Sequence, residues 1–193
     1  KSKDKDGFTP EFCDGSTSVH GNVHLGCSSL TDAFEIVIRN PVSGEYIVPG
    51  TPDSDSIALT ISVALRNALA SKLGISTSEI GYSIRKTRVP DTNSQAMAIQ
   101  LYDVVSGGAG FSTSAAGHIE DLLTSVFHHH LHCKASCDTA CSSCLLDSNT
   151  RHDANQLNRV VAKEWLGPHF TDFVGLDSKY HYFAGAKYSH ESI

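Results

Sequence analysis

The densest group of metal-binding side chains in this sequence is a run of four cysteines within a dozen residues. They are spaced C-x3-C-x3-C-x2-C and comprise Cys133, Cys137, Cys141 and Cys144, out of six cysteines in the chain. Four thiolates can surround one tetrahedral Zn²⁺ and leave no coordination position open for a substrate. The spacing therefore predicts a structural zinc site, a zinc knuckle at residues 133–144. Free buried cysteines, disulfides and an iron–sulfur cluster are the alternatives.

A histidine-rich stretch leads into the zinc knuckle and offers further imidazoles. Its members are His128, His129, His130 and His132. Because four cysteines already complete a tetrahedral set, we expect these histidines at a helix end or on the surface. His132 is the one that could replace a cysteine whose sulfur points away.

A second set of metal-binding residue types lies near the start of the chain. Cys13, His20, His24 and Cys27 are spaced C-x6-H-x3-H-x2-C. Their side chains suit zinc, so they form a candidate second metal site. The spacing matches no common zinc finger, and we favour unpaired cysteines beside loop histidines.

The composition indicates one ordinary domain with a sizeable core, or one domain plus an extension. The chain has 193 residues, 40% of them hydrophobic, with a net charge of −6 and a pI near 6.0. A surface that binds nucleic acid by itself is usually basic, so this balance argues mildly against autonomous nucleic-acid binding.

We find neither an apolar run of about 20 residues for a membrane helix nor a secretion signal. We therefore expect no membrane partner and a reducing, cytoplasmic location, for a fragment of a longer protein that lacks an initiator methionine.

Hydrophobic periodicity, together with residues that typically begin or end helices and strands, predicts the elements that must position the cysteines. The sequence favours strands at 30–40, 80–89 and 95–105, with the last one central because it is most continuously apolar. It favours helices at 56–74, at 118–133 leading to Cys133, and from an N-cap at Asp153 to a stop at Gly167. The fold class is α+β: a mixed sheet with packed helices and a four-cysteine zinc knuckle between two helices. The domain limits are 1–29 for a polar N-terminal segment, 30–167 for the zinc-binding domain and 168–193 for a C-terminal extension.

A glycine-rich segment, SGGAGFS at 106–112, follows the predicted central strand. Glycines suit a sharp turn from strand to helix, and backbone N–H groups at such a turn can also bind phosphate. Since no Lys-Ser/Thr pair follows, the segment is not a nucleotide P-loop. We favour a structural turn over an anion site.

Basic residues supply the candidates for nucleic-acid contact. Arg85, Lys86 and Arg88 form a short basic run, which is more often a solvated strand face. Arg159, on the helix after the zinc knuckle, is the fourth candidate. We favour for Arg159 an ion pair with Asp103 or Asp147 over a contact with phosphate.

Catalytic templates do not fit this sequence. The H-x-K-x4-D pattern of phospholipase-D enzymes would begin at His132, but Thr139 stands where its aspartate belongs. His152 and Asp153 resemble a phosphohydrolase pair, but the other ligands of such a site are not evident. We therefore predict no catalytic residue and no catalytic activity in this chain itself. The alternative is a fragment of a metal-dependent nuclease or phosphodiesterase, phospholipase-D-like or related, that uses the histidine-rich stretch and the N-terminal cysteines and histidines.

Several motifs together resemble the DUF1998 family, also called the MrfA-type zinc-binding (MZB) domain. They are D-x-x-x-G-G-A-G from Asp103 to Gly110, the cysteine group ending in Cys141, Cys144 and Leu145, and L-N-R-x-x-A from Leu157. The similarity runs from about residue 94 to 166, and more weakly from residue 30. Three positions depart from the family pattern: the first two cysteines are C-x3-C rather than C-x-C, Ser142 replaces a proline, and Asn158 replaces an aspartate.

The resemblance implies a zinc-stabilised module rather than a catalytic centre. In this family the module accompanies DNA helicases and DISARM-type phage-defence proteins. The expected cofactor is Zn²⁺, and the expected partner is a helicase domain or subunit, with DNA contacted through the assembly. The function expected on this basis is a non-catalytic scaffold of a helicase-associated or antiviral defence protein.

Overall fold

The computed structural model describes residues 26, 28–90 and 92–174 of the chain. Its strands are β1 (Ala33–Ile36), β2 (Ile80–Arg88) and β3 (Gln95–Asp103). Its helices are α1 (Ser54–Leu73), α2 (Phe111–Ser114), α3 (Ile119–Ser125), α4 (Arg159–Leu166) and α5 (Phe170–Phe173). Within the described residues, no helix is long and apolar enough to cross a membrane.

The strands form one sheet in the order β1-β3-β2, so the predicted central strand is central. Both pairings are antiparallel, with Ile99 of β3 opposite Ile36 of β1 and Ile84 of β2. The α+β class is confirmed. Because both pairs of neighbouring strands are antiparallel, the sheet is antiparallel and not mixed as predicted. The short connection between β2 and β3 requires an antiparallel hairpin, and the chain returns through α1 so that β1 and β2 run parallel to each other on either side of β3.

The long helix α1 lies at the centre of the hydrophobic core. It contacts β2 and β3 of the sheet and also packs against α3 and α4. Its side chains are apolar around most of the helix, and Ile61, Val63, Leu65 and Leu69 are fully buried. A helix that is apolar on all sides is enclosed by other elements. The helix ends as the sequence predicts, at Gly74, whose φ of 68° is in the left-handed region.

The helix before the zinc knuckle is shorter than predicted. The α-helix α3 ends at Ser125 and continues as a π-helical turn, Val126–His130, in which the N–H of Leu131 donates to the carbonyl of Val126 at 2.8 Å. Leu131 is fully buried, and Cys133 follows it. The wider turn brings Leu131 to the core and leaves His128 and His129 exposed.

The helix after the zinc knuckle begins later than predicted, because Asn158 and not Asp153 is its N-cap. Asn158 Oδ1 accepts the N–H groups of Val160 at 3.1 Å and Val161 at 3.2 Å. Asp153 lies in a 3-10 turn, where its carboxylate accepts the hydroxyl of Tyr82 at 2.6 Å. The predicted stop at Gly167 is confirmed, since its N–H closes α4 onto the carbonyl of Lys163.

Candidate metal centre

The zinc knuckle brings four sulfur atoms together in space. The Sγ atoms of Cys133, Cys137, Cys141 and Cys144 all lie within 4.8 Å of one another. The measured separations are 3.6 Å for Cys133–Cys141, 3.7 Å for Cys137–Cys144 and 3.9 Å for Cys141–Cys144. All four cysteines are free, so the disulfide alternative does not hold here.

These separations fit a single tetrahedral zinc ion. With a Zn–S bond of about 2.3 Å, tetrahedral geometry requires sulfur atoms about 3.8 Å apart. Three of the six separations, at 3.6, 3.7 and 3.9 Å, lie close to that value, and all six are within 4.8 Å. A set in which every sulfur atom lies within 4.8 Å of the others suits one ion better than several irons with bridging sulfides, which argues against an iron–sulfur cluster.

Electrostatics also indicate that this cluster needs a cation. The backbone N–H of Cys137 is the main group that lowers the pKa of the Cys133 thiol, to about 6. Burial, by contrast, raises the pKa of the Cys144 thiol to about 12. Four thiolates at these distances repel one another, so only a bound cation allows all four to be ionised together.

The local fold supports the sulfur atoms with backbone N–H groups. The N–H of Cys141 donates to Cys144 Sγ at 3.3 Å, and that of Ser143 donates to Cys141 Sγ at 3.4 Å. The carbonyl of Cys141 accepts the N–H groups of Cys144, Leu145 and Leu146, which closes the loop into a compact turn. Neither the C-x3-C spacing nor Ser142 prevents the sulfur atoms from converging.

The histidine-rich stretch does not join the sulfur atoms. Among the described residues, the group of convergent metal-binding side chains consists of the four cysteines. The four histidines instead line an open cleft of about 520 Å³ beside the zinc knuckle, with Lys134 and Cys144. Burial and the neighbouring His129 lower the pKa of His130. The candidate second site at Cys13, His20, His24 and Cys27 lies outside the described residues.

Arg159 does not form the ion pair that the sequence favoured. Its Nε lies 3.3 Å from Cys137 Sγ, and its Nη2 donates to the carbonyl oxygen of Cys137. The two carboxylates expected as its partners are engaged elsewhere. Asp147 pairs with Arg66 at 2.6 Å, and Asp103 accepts backbone N–H groups of the glycine-rich segment.

The glycine-rich segment is a structural turn, as favoured from the sequence. Asp103 accepts the N–H groups of Ala109, Phe111 and Ser112, and Asp32 accepts that of Gly110. Burial raises the pKa of Asp103, but these N–H donors outweigh it and lower the pKa overall. Two protein carboxylates thus occupy the N–H groups that an external phosphate would need.

The basic run lies on β2, an edge strand. Arg85 is engaged by Glu35 in a two-pronged ion pair, with both N–O distances at 2.6 Å. Arg88 Nη1 lies 3.3 Å from the side chain of Asn93, and both Lys86 and Arg88 are exposed. Of the three, Arg85 is thus already partly neutralised by a carboxylate.

Sequence reasoning missed Arg66, a fully buried arginine in the middle of α1. Its guanidinium bonds Asp147 and lies over the ring of Tyr82, with Cζ 5.0 Å from the ring centroid. Burial is the main factor that raises the pKa of Tyr82. A lone arginine inside the apolar run ALTISVALRNALA was the signal, because an unpaired buried charge is too costly to keep.

Comparison with known proteins places the zinc knuckle in a family. Residues 61–145 match the model described as MZB, the MrfA Zn-binding domain. This segment starts inside α1 and contains all four clustered cysteines. The family match and the sulfur geometry together identify zinc as the cofactor.

Two individual proteins resemble this chain. Druantia protein DruE of Escherichia coli (strain UMEA 4076-1) is 31% identical over 168 residues, which cover 82% of this chain and 9% of that protein. The crystal structure of DUF1998 helicase MrfA bound to DNA shows 18% identity and a TM-score of 0.43, covering 61% of this chain and 14% of that one. The matched parts therefore cover less than a sixth of the length of either protein.

Proposed function

Because this chain contains an MrfA Zn-binding (MZB) domain, we propose that it is a non-catalytic scaffold which a structural zinc ion holds together. Its ligands are Cys133, Cys137, Cys141 and Cys144, and the domain extends over residues 30–167. The observation that carries this proposal is the closed four-sulfur set, with all Sγ atoms within 4.8 Å. Four protein ligands fill a tetrahedral ion and leave no position for water or substrate.

The scaffold role follows from what the zinc knuckle joins. The zinc knuckle lies between α3 and α4, and both helices pack against the central α1. From the loop that follows, Asp147 reaches back to Arg66 of α1 at 2.6 Å. A zinc ion here ties two helices and a loop to the core, and its binding free energy becomes folding free energy.

We propose that the parent protein is a helicase-associated or phage-defence protein and that the module contacts a helicase domain or subunit. The family name refers to MrfA, which is described as a DUF1998 helicase, and the relative DruE is a Druantia protein. DNA would be contacted through that assembly. Lys86 and Arg88 are the surface candidates because both side chains are exposed on β2, whereas Arg85 is paired with Glu35.

Metal analysis of the purified chain tests the scaffold. We expect one tightly held zinc per chain, and we expect Cys141→Ser to lose both the metal and the folded state, since the ligand set is then incomplete. Ser142→Ala is the matched control in the same turn and should retain the zinc. A second, exchangeable divalent metal together with phosphodiesterase activity would instead support the nuclease alternative and contradict the scaffold.

Charge reversal tests the DNA contact separately. Lys86→Glu and Arg88→Glu should weaken DNA binding by the full assembly and reduce its salt dependence, because each removes a phosphate contact. Lys72→Glu, on an exposed lysine of α1 that pairs with Asp121, is the control. Unchanged DNA affinity in the β2 variants would exclude this strand as a nucleic-acid surface.

A further inference from the structure

Arg159 is bound to the zinc knuckle by three separate contacts. Its Nε lies 3.3 Å from Cys137 Sγ, and its Nη2 donates to the carbonyl of the same cysteine. Its backbone N–H donates to the carbonyl of Thr139 at 2.9 Å. A single residue at the start of α4 therefore contacts both the second cysteine and the loop that leads to the third.

Cys137 is the cysteine that needs such support from another element. The sulfur atoms of Cys141 and Cys144 accept N–H groups within their own turn, at 3.4 Å and 3.3 Å. Cys133 is buried and follows the buried Leu131 at the end of the π-helical turn. Cys137 lies in a loop without regular structure, just after Ser136 with its φ of 51°, and the donor to its sulfur is the guanidinium of Arg159.

Charge also makes this contact important. Zn²⁺ with four thiolates carries a net charge of −2, and burying that charge without a counter-ion is unfavourable. Among the described side chains, Arg159 is the cation that donates to a cysteine sulfur. A guanidinium is effectively always charged in proteins, so Arg159 places a permanent cation beside the thiolates.

We propose that Arg159 is the positioning residue of the metal site: it holds Cys137 as a ligand, offsets part of the tetrathiolate charge and thereby sets how slowly zinc leaves. The coupling is reciprocal, because the metal-bound Cys137 in turn fixes the N-terminus of α4. The N–H of Asn158 next to it donates to Thr60 Oγ1 of α1 at 2.9 Å, so that N-terminus also touches the core. The proposal rests on the four-cysteine zinc site proposed above.

This role also makes Arg159 a weaker candidate for nucleic-acid contact than the exposed Lys86 and Arg88. A guanidinium has five N–H donors in a fixed fork, and here that fork spans the sulfur and the carbonyl of one residue. Two of these donors are committed to Cys137, so only the remaining three could meet a phosphate. The interaction of Arg159 is therefore directed inward, to the metal site.

Zinc release from the purified, zinc-loaded chain into an excess of chelator tests the proposal. We expect Arg159→Gln to accelerate release about tenfold, since loss of an outer-sphere partner weakens metal binding by about 10–100-fold. Arg159→Lys should fall between Gln and the wild type, because a lysine keeps the charge but cannot span both acceptors. Arg151→Gln, at an exposed arginine eight residues earlier, is the matched control and should release zinc at the wild-type rate.

A second variant separates the sulfur contact from simple anchoring of the helix. Asn158→Ala removes the N-cap of α4 but leaves the guanidinium in place. If Asn158→Ala accelerates zinc release as much as Arg159→Gln does, the effect belongs to the docking of α4, and the proposal is wrong. We expect instead that Asn158→Ala changes the rate less than threefold, an order-of-magnitude expectation for a cap that touches no sulfur.

Cobalt substitution supplies a readout that a purely structural role would not change. A hydrogen bond to a thiolate lowers the energy of its lone pairs, so removing it should shift the thiolate-to-Co²⁺ charge-transfer band of Arg159→Gln to longer wavelength. An unshifted band together with a wild-type release rate would overturn the proposal while leaving the zinc site intact. A wild-type chain that binds no stoichiometric zinc would overturn the zinc assignment itself.

Discussion

Arg66 Nη2 and Asp147 Oδ2 lie 2.6 Å apart and join the middle of α1 to the loop that follows the zinc knuckle. The arginine side chain is 1% exposed and the aspartate 30%. Asp147 also caps its own turn, because its Oδ1 accepts the N–H groups of Asn149 and Thr150. Through this pair the metal loop is fixed to the central helix at a point 81 residues away in sequence.

Removing one member of this pair should destabilise the protein strongly. Asp147→Ala leaves the guanidinium of Arg66 buried without its carboxylate, which costs about 3 kcal/mol of unfolding free energy. Urea denaturation at saturating zinc measures the change. Lys72→Ala, which breaks the exposed Lys72–Asp121 pair, is the control and should barely move the midpoint. Equal shifts for both variants would mean that the buried pair stabilises the protein no more than the exposed pair does.

Asp103 should make stability depend on pH. Its folded-state pKa lies below its ordinary value, so its contribution is fully present above about pH 4, the unfolded pKa of an aspartate, and is lost as pH falls through the folded pKa. Asp103→Asn should cost about 2 kcal/mol at pH 7, because an amide cannot accept all three N–H groups. The difference between wild type and variant, measured by urea denaturation from pH 7 to pH 3, should shrink toward the acid end. A difference that is constant with pH would contradict the assignment.

Gly108 should be the least replaceable residue of the glycine-rich turn. Its φ is +78°, and an added Cβ would lie 2.2 Å from Asp32 Oδ2. Gly107 has a φ of +91° but open space around its Cα. We expect Gly107→Ala to cost about 1 kcal/mol of backbone strain and Gly108→Ala roughly 2 kcal/mol or more, since Asp32 must also move. Thermal unfolding of the two variants measures the loss of stability. Equal losses would show that the Asp32 side chain can move away from an added Cβ at no cost.

The start of α4 should depend on Asn158 and not on Asp153. Asn158→Ala is expected to cost about 1 kcal/mol and Asn158→Asp close to nothing, because both Asn and Asp are good N-caps. Amide hydrogen exchange at Val160 and Val161 reports the cap directly. Asp153→Ala, the control, should disturb Tyr82 through its lost hydrogen bond and leave exchange at those two amides unchanged. Faster exchange in Asp153→Ala would restore Asp153 as the cap.

Asn158 is also one of the positions at which this chain departs from the family pattern. The family pattern that this sequence resembles has an aspartate here, and this chain has an asparagine. The structure shows that the side-chain oxygen caps α4, a task that either residue performs. The sequence predicted Asp153 as the cap, and only the path of the loop from residue 147 to 158 placed Asn158 there instead.

Local information in the sequence was sufficient for the elements and for the metal-binding residue types. The three strands, α1 and the end of α4 were predicted to within a few residues, since periodicity and glycine stops depend on neighbouring residues. The end of α3 and the start of α4 were not. The convergence of the four sulfur atoms was also predictable, because all four cysteines belong to a single short loop. The π-helical turn before Cys133 was not, as no local pattern distinguishes it from the end of an α-helix.

Only the tertiary structure decided which side chains that are distant in sequence bind each other. From the sequence alone, Asp103 and Asp147 were equally reasonable partners for Arg159, yet the fold gives one to backbone N–H groups and the other to Arg66. Arg159 is left to face Cys137, 22 residues away in sequence. A side chain's charge and length are fixed by its residue type, whereas its partner depends on which distant groups the packing of α1, α4 and the zinc knuckle brings within hydrogen-bonding distance.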